Sequence, residues 1–303
     1  MEDASKLNAL KELLLEYLDE LDEINPAPEN VFKTEQEKTD LETKLWYLFR
    51  KLEAADYHRS NVCNISERAR QRIAAMPDLE TKDRMSGQVE IRIEDRAILF
   101  ETDAFFVAAR SALDFLATVT SKYRRGKTFH RFKKLVEDLE NCADPIGSLV
   151  EQAWTGWGRD LISYRDHLIH RGVISLTSAS HIKAYVPKSQ NAEMRGIIDR
   201  LGLREGLPII FPVPKKPSSN ARLTRKEIMA DMDEELPRGL SRTEEGARIS
   251  GDGRTFEMRA IRYELAPGYV EACELCQYYQ DKLLEFSYTL FQSIRAKRFT
   301  YVS

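Results

Sequence analysis

The chain has 303 residues, enough at roughly 150 per domain for one large domain or two small ones. Its 13 Phe, 12 Tyr and 3 Trp exclude disorder throughout, and a formal net charge of −3 excludes a globally basic coat, though not a local basic cluster. The longest apolar stretch, Ala104 to Ala109, is far short of the roughly 18 residues a membrane span needs; Met1-Glu2-Asp3 opens no secretory leader; and four cysteines are too sparse for a disulfide scaffold, so a reducing cytosol is expected.

A first helix is predicted from Ser5 to Ile24, because Leu7, Leu10, Leu14, Leu18, Leu21 and Ile24 recur at spacings of three or four. Asn25-Pro26-Ala27-Pro28 ends it, since proline lacks the N–H a continuing helix needs. A second helix starts at Thr34, which with Glu37 reads as a capping box, and buries Leu41, Leu45, Leu48, Phe49, Leu52 and Ala55. Its pattern weakens over His58–Asn64 and resumes over Ser66–Met76. Val89, Ile91 and Ile93 alternate with charged residues and read as a short strand or ribbon.

A third helix over Thr102–Tyr123 carries Phe105, Phe106, Val107, Leu113, Phe115, Leu116 and Val119 and has little polar face, so it is expected at the centre of a bundle. Another helix covers Phe129–Asn141. A long one runs from Pro145, suited to a first turn, to Arg171 before Gly172, suited to a stop, with Leu149, Val150, Trp154, Trp157, Leu161, Tyr164 and Leu168 as its core side. Val173–Met258 differs. Pro187, Pro208, Pro212, Pro214, Pro217 and Pro237 cluster there, and strands are predicted at 173–176, 182–186, 209–213, 247–249 and 255–258. Thr177–Ser180 is the expected link of the first pair, Ser250–Gly253 that of the last, and Pro214–Arg242 is a polar, mobile connection. A final helix, Gly268–Arg298, has Cys276, Leu283, Leu284, Leu290, Phe291 and Ile294 as its seam.

The segment that carries chemistry is Tyr164-Arg165-Asp166-His167-Leu168-Ile169-His170-Arg171-Gly172. On a straight helix, five residues separate Arg165 from His170 by about 140° and roughly 7.5 Å, so one copy does not aim both at a point, whereas two copies across a symmetry axis do. Asp166 and His170 are neighbours at i and i+4, and the carboxylate and the helix C-terminus both favour the charged imidazole. A guanidinium beside an acid–base imidazole suits phosphodiester chemistry.

Arg165-x(4)-His170 near the end of a late bundle helix resembles the Arg-x(4–6)-His signature of the HEPN superfamily. Ala109-Arg110-Ser111-Ala112-Leu113-Asp114-Phe115-Leu116 is similar to the helix that packs ahead of that motif. The resemblance covers Thr102–Gly172 by motif. It implies a mainly α HEPN-like helical bundle; the chain is read as a single domain, residues 1–303, with the proline-rich, strand-patterned 173–258 as a strand-and-loop insertion before the C-terminal helix. It implies a metal-independent endoribonuclease of toxin–antitoxin or antiviral defence type, in which the RNA 2′-hydroxyl attacks phosphorus to leave a 2′,3′-cyclic phosphate. His170 is then the acid–base, Arg165 stabilises the phosphorane, and Asp166 stands where asparagine is frequent, adding a negative charge near the scissile phosphate. The implied partners are RNA, a second copy of the chain and an antitoxin or regulatory protein, with no membrane. The rival reading is a catalytically inactive HEPN-like module that dimerises or binds a ligand or nucleic acid.

Lys122–Lys134 holds no acid and offers Arg124, Arg125, Lys127, Arg131 and Lys133 as RNA-binding residues, with Tyr123, Phe129 and Phe132 interleaved for base stacking and His130 among them. The bland alternative is a solvated loop whose aromatics turn inward. For Arg165 and His170 that alternative is a capped helix end with an internal Asp–His pair; His167, one residue too early for the spacing, reads as a solvated or interface histidine. Asp114, in a mostly apolar helix, reads as the partner of Arg165, Arg110 or another base in a structural salt bridge. Cys273-x-x-Cys276 reads as buried small hydrophobes in mid-helix, because Cys63 and Cys142 offer no matching spacing. No metal or organic cofactor is implied.

Overall fold

The computed structural model describes residues 2–23, 35–74, 88–94, 96–122, 128–139, 145–171, 177–183, 212–215, 240–251 and 254–300. The fold is mainly α. Its helices are α1 (Glu2–Glu23), α2 (Glu35–Ala74), α3 (Arg96–Lys122), α4 (Phe132–Leu139), α5 (Pro145–Ala153), α6 (Arg159–Arg171) and α7 (Ala272–Thr300), with a π-helical turn (Trp154–Gly158) joining α5 to α6. The strands are β1 (Gln88–Glu94), β2 (Thr177–Lys183), β3 (Pro212–Pro214), β4 (Leu240–Gly251), β5 (Arg254–Leu265) and β6 (Tyr269–Glu271). The chain divides into two compact units, one of residues 1–60, 101–170 and 276–303 and the other of 61–100 and 171–275.

The first unit is a helical bundle. Its core takes Leu10, Leu14 and Tyr17 from α1, Leu41, Leu45, Leu48 and Leu52 from α2, Phe105, Phe106, Leu113 and Leu116 from α3, and Leu283, Leu284, Phe291 and Ile294 from α7. The α1 and α2 sets recur at three or four residues, and the α3 and α7 sets fall at i, i+1, i+8 and i+11, so one face of each helix is apolar. Neighbouring directions follow from the side-chain pairs. Lys6 meets Asp281 at 2.8 Å and Glu16 meets Arg295 at 2.7 Å, so α1 and α7 run parallel. His58 meets Glu101 and Tyr47 packs on Phe115, so α2 and α3 run antiparallel. Tyr164 faces Tyr279 and Trp157 faces Phe286, so the π turn and α6 run antiparallel to α7.

Among the described residues, the second unit contains the six strands, in three two-stranded antiparallel sheets: β1 with β2, β3 with β6, and β4 with β5. The alternating strand expected at 89–93 is β1, and it pairs from Gln88↔Lys183 to Glu94↔Thr177. Thr177–Ser180 is therefore strand and not the predicted link. Its small and β-branched side chains suit a ladder, and the missing partner lies about ninety positions earlier, beyond the reach of local pattern. β4 and β5 form a long hairpin from Leu240↔Leu265 to Gly251↔Arg254, which takes 240–242 out of the predicted mobile connection. Gly268, at φ +89°, turns the chain from β5 into β6, a conformation that penalises any side chain, and its carbonyl accepts from the Lys215 N–H at 2.7 Å.

Two helical expectations change. α2 continues through His58–Asn64 because Ala55, Val62, Ile65 and Ala69 keep an apolar stripe buried at helical spacing. α3 begins earlier than predicted, at Arg96, and its Ala97–Ser121 stretch meets the length and composition of a membrane-crossing helix, although 67% of that window is buried in the protein. Thr34, Gly172, 173–176, 184–186 and 209–211 lie outside the described residues.

Candidate functional site

The long helix predicted from Pro145 to Arg171 is interrupted. The Arg159 N–H bonds to the Trp154 carbonyl, a five-residue span that widens one turn. Gly158 fits this turn closely, since a Cβ there would lie 3.1 Å from the Ala153 carbonyl oxygen and 3.5 Å from the Phe132 ring. Beyond it, Leu161 and Tyr164 return to the core. Tyr164 stacks on Phe106 of α3 with ring centroids 4.9 Å apart, and Tyr279 of α7 packs edge-on against both. Burial pushes both tyrosine hydroxyls well above their usual range, and in each case a neighbouring tyrosine hydroxyl and the Asp160 carboxylate add to that rise. This aromatic seam fixes α6 against α3, and the next residues on α6, Arg165 and Asp166, stand at its edge.

There the charged side chains of the two helices converge. Asp166 Oδ1 accepts from Arg110 Nη1 of α3 and, at 3.0 Å, from Arg165 Nη1. Two guanidinium groups therefore share one carboxylate oxygen. Arg110 is half-buried, Arg165 is 28% exposed and Asp166 is 46% exposed, so the group meets solvent and is not sealed in the core. Asp114, one turn beyond Arg110, lies 3.8 Å from the Arg110 Nε. Its Oδ1 accepts from the Phe132 N–H at 3.0 Å, which satisfies a free donor at the start of α4. Burial raises the Asp114 carboxyl pKa, against the lowering effects of the Phe132 N–H and of Arg110, Arg131 and Arg165.

The same stretch of α3 pins the segment before α4. Thr118 donates to the carbonyls of Asp114 and Phe129, at 3.1 and 3.0 Å. Ser121 accepts from the Phe129 N–H at 3.0 Å and donates to the Thr118 carbonyl at 2.8 Å. His130 and Arg131, both exposed, are thus carried on a segment tied to α3, and Arg131 is near enough to act on the Asp114 charge.

Of the catalytic candidates, Arg165 and Asp166 are in direct contact. His170 lies on α6 beyond them, and its side chain, like that of His167, is outside the described residues. Of the RNA-binding candidates, Arg131 and Lys133 are exposed, while Arg124, Arg125 and Lys127 lie outside the described residues. The acid-free run is followed by Glu137, which pairs with Lys134 at 2.7 Å and Lys133 at 4.0 Å. Phe132 is not a base-stacking platform: it is fully buried between Trp154 and Phe286. Sequence reasoning missed Arg110 as the partner of Asp166 and Asp114 as a cap of α4. The available signal was the Arg110/Asp114 pair at i and i+4 on an apolar helix.

The cysteine expectation holds for the buried Cys276 and fails for Cys273. Cys273 lies in the first turn of α7, not in mid-helix, and is disulfide-bonded to Cys63 of α2 across 210 positions. Spacing in the sequence gave no sign of it because the fold, not the local motif, brings the two Cα atoms to 4.9 Å. Cys276 is buried and keeps its thiol. Cys142 lies outside the described residues. Among the described residues no group of three or more His, Cys, Asp or Glu is placed to hold a metal ion.

No protein-family model, no curated protein and no solved structure matches this chain.

Proposed function

We propose that the chain is a metal-independent, HEPN-type endoribonuclease that acts in the cytoplasm as a homodimer, in a toxin–antitoxin or antiviral defence setting with an antitoxin or other regulatory partner. The observation that carries this reading is the Arg110–Asp166–Arg165 contact: one carboxylate oxygen holds two guanidiniums side by side at a solvent-reaching edge, on the helix that carries His170. Paired guanidiniums suit the non-bridging oxygens of a phosphodiester, with Arg165 stabilising charge as the phosphorane forms. His170 takes the 2′-hydroxyl proton as the 2′-oxygen bonds to phosphorus, the bond from phosphorus to the 5′-oxygen breaks, and a proton returns to that leaving oxygen. Arg131 and Lys133, with Arg124, Arg125 and Lys127, track the flanking phosphates.

Asp166 has a defined part in this reading. The negative charge it adds, where asparagine is frequent in the resembling family, is balanced by Arg110, so Arg165 retains a positive field toward substrate. The pairing of both arginines within the protein also supports the rival, a catalytically inactive module whose charged edge binds nucleic acid or a partner. One experiment separates them: incubation of the purified full chain with total cellular RNA in EDTA. The ribonuclease reading predicts fragments with 2′,3′-cyclic phosphate ends that are absent with a folded His170→Ala protein. Intact RNA with the wild type, or equal cleavage by the variant, overturns it.

A further inference from the structure

The Cys63–Cys273 bond takes no part in the reading above. Both residues are half-buried, whereas Cys276 is buried. The two sulfurs differ in setting. Cys63 sits in the C-terminal third of α2, whereas Cys273 is the second residue of α7, a helix of 29 residues. The positive end of that helix dipole favours a thiolate at Cys273 over one at Cys63. The Glu271 carboxylate, which accepts from the Cys273 N–H at 3.0 Å, opposes this in part. A bond and a buried thiol coexist within four residues of one helix, an arrangement that suits a bond made selectively at Cys273 and not general oxidation of the chain.

We propose that Cys63 and Cys273 form a reversible thiol–disulfide exchange site for low-molecular-weight disulfides of the glutathione type, with Cys273 as the attacking thiolate and Cys63 as the resolving one. In the first step the Cys273 sulfur attacks one sulfur of the small disulfide; a mixed disulfide forms on Cys273 and one small thiolate leaves. In the second the Cys63 thiolate attacks the Cys273 sulfur; the Cys63–Cys273 bond forms and the second small thiolate leaves. Two protein thiols are oxidised and one small disulfide is reduced to two thiols, with the protons released from Cys63 and Cys273 taken up by the departing thiolates. Excess small thiol reverses both steps. The site is independent of the ribonuclease reading. In a cytosolic setting it fits the transient, redox-sensing use of disulfides.

The test equilibrates the full chain with graded mixtures of reduced and oxidised glutathione, quenches with acid and maps the state of each cysteine by mass spectrometry. The proposal predicts that Cys63 and Cys273 lose their thiols together as the oxidised form rises, regain them together as it falls, and leave Cys276 unchanged. With oxidised glutathione, Cys63→Ser should trap a mixed disulfide on Cys273, and Cys273→Ser should modify Cys63 about tenfold more slowly. Circular dichroism checks that both variants keep their helix content; if either does not, the wild-type titration decides. A bond that persists at every ratio, thiols that persist at every ratio, or faster modification of Cys63 than of Cys273 overturns the proposal.

Discussion

Arg110 of α3 and Asp166 of α6 form an ion pair across the helix seam, and the same Asp166 oxygen bonds Arg165. Asp166 is nearly half exposed, so the pair contributes only about 0.5–1 kcal/mol to stability. Its larger effect is on the charge beside Arg165. Under the ribonuclease reading Arg110→Ala lowers RNA cleavage at least about tenfold by leaving Asp166 unbalanced, a rise of about 1.4 kcal/mol in the barrier. Asp166→Asn retains cleavage, and adding it to Arg110→Ala restores most of the loss, while every variant melts within about 4 °C of the wild type. Additive losses in the double variant would contradict this.

Asp114 ties α3 to the start of α4 through the Phe132 N–H. Asp114→Ala removes that acceptor and one of the two carboxylates beside Arg110, at an expected cost of about 1–2 kcal/mol in urea unfolding. Asp114→Asn keeps an oxygen acceptor and loses less than half as much. Equal losses would show that the hydrogen bond to α4 does not matter.

Asp103 gives a pH dependence with a definite sign. Burial raises its carboxyl from 3.8 to about 6, and its Oδ1 has no hydrogen-bond partner. The folded state therefore holds the proton more tightly than the unfolded chain. The associated stability is fully present below about pH 4 and is lost as pH rises through about 6. Asp103→Asn removes this dependence. Relative to wild type it should gain on the order of 1 kcal/mol between about pH 4 and pH 7, a figure reduced for the part exposure of Asp103. Denaturation midpoints at several pH values measure it; a wild-type-minus-variant difference that stays flat would refute the assignment.

Phe106 and Val107 are adjacent on α3 but differ by about 100° in direction and in burial. Phe106 is fully buried and stacks on Tyr164, whereas Val107 is 38% exposed. Phe106→Ala should cost about 3–5 kcal/mol, and Val107→Ala no more than about 0.5 kcal/mol. Similar costs for the two would place the aromatic seam elsewhere.

Much of the helical fold is legible in the sequence, because helix cores repeat within one or two turns. Leu41, Leu45, Leu48, Phe49, Leu52 and Ala55 read as one buried face of α2, and all are buried. The same holds for Cys276, Leu283, Leu284, Leu290, Phe291 and Ile294 on α7. What depends on distant partners is not legible. Thr177–Ser180 looks like a turn until β1 is set beside it, and Cys63 looks isolated until α7 brings Cys273 to it. The candidate site divides in the same way. Arg165 and Asp166 stand out as a motif, but Arg110 is an ordinary arginine in sequence and becomes part of the site only because Phe106 and Tyr164 stack one turn away.

The central claim is that the charged edge of α6 cleaves a phosphodiester without a metal ion, with Arg165 serving the transition state and His170 moving the proton. Single-turnover cleavage of a defined RNA in EDTA by the wild type, Arg165→Ala and His170→Ala, with the product ends identified, tests it most directly. The ribonuclease reading predicts 2′,3′-cyclic phosphate and 5′-hydroxyl ends from the wild type and a loss of about 100-fold or more in each variant, as expected for removing an acid–base or a transition-state donor. Wild-type protein that leaves the RNA whole, or variants that cut it as fast as wild type, would contradict it.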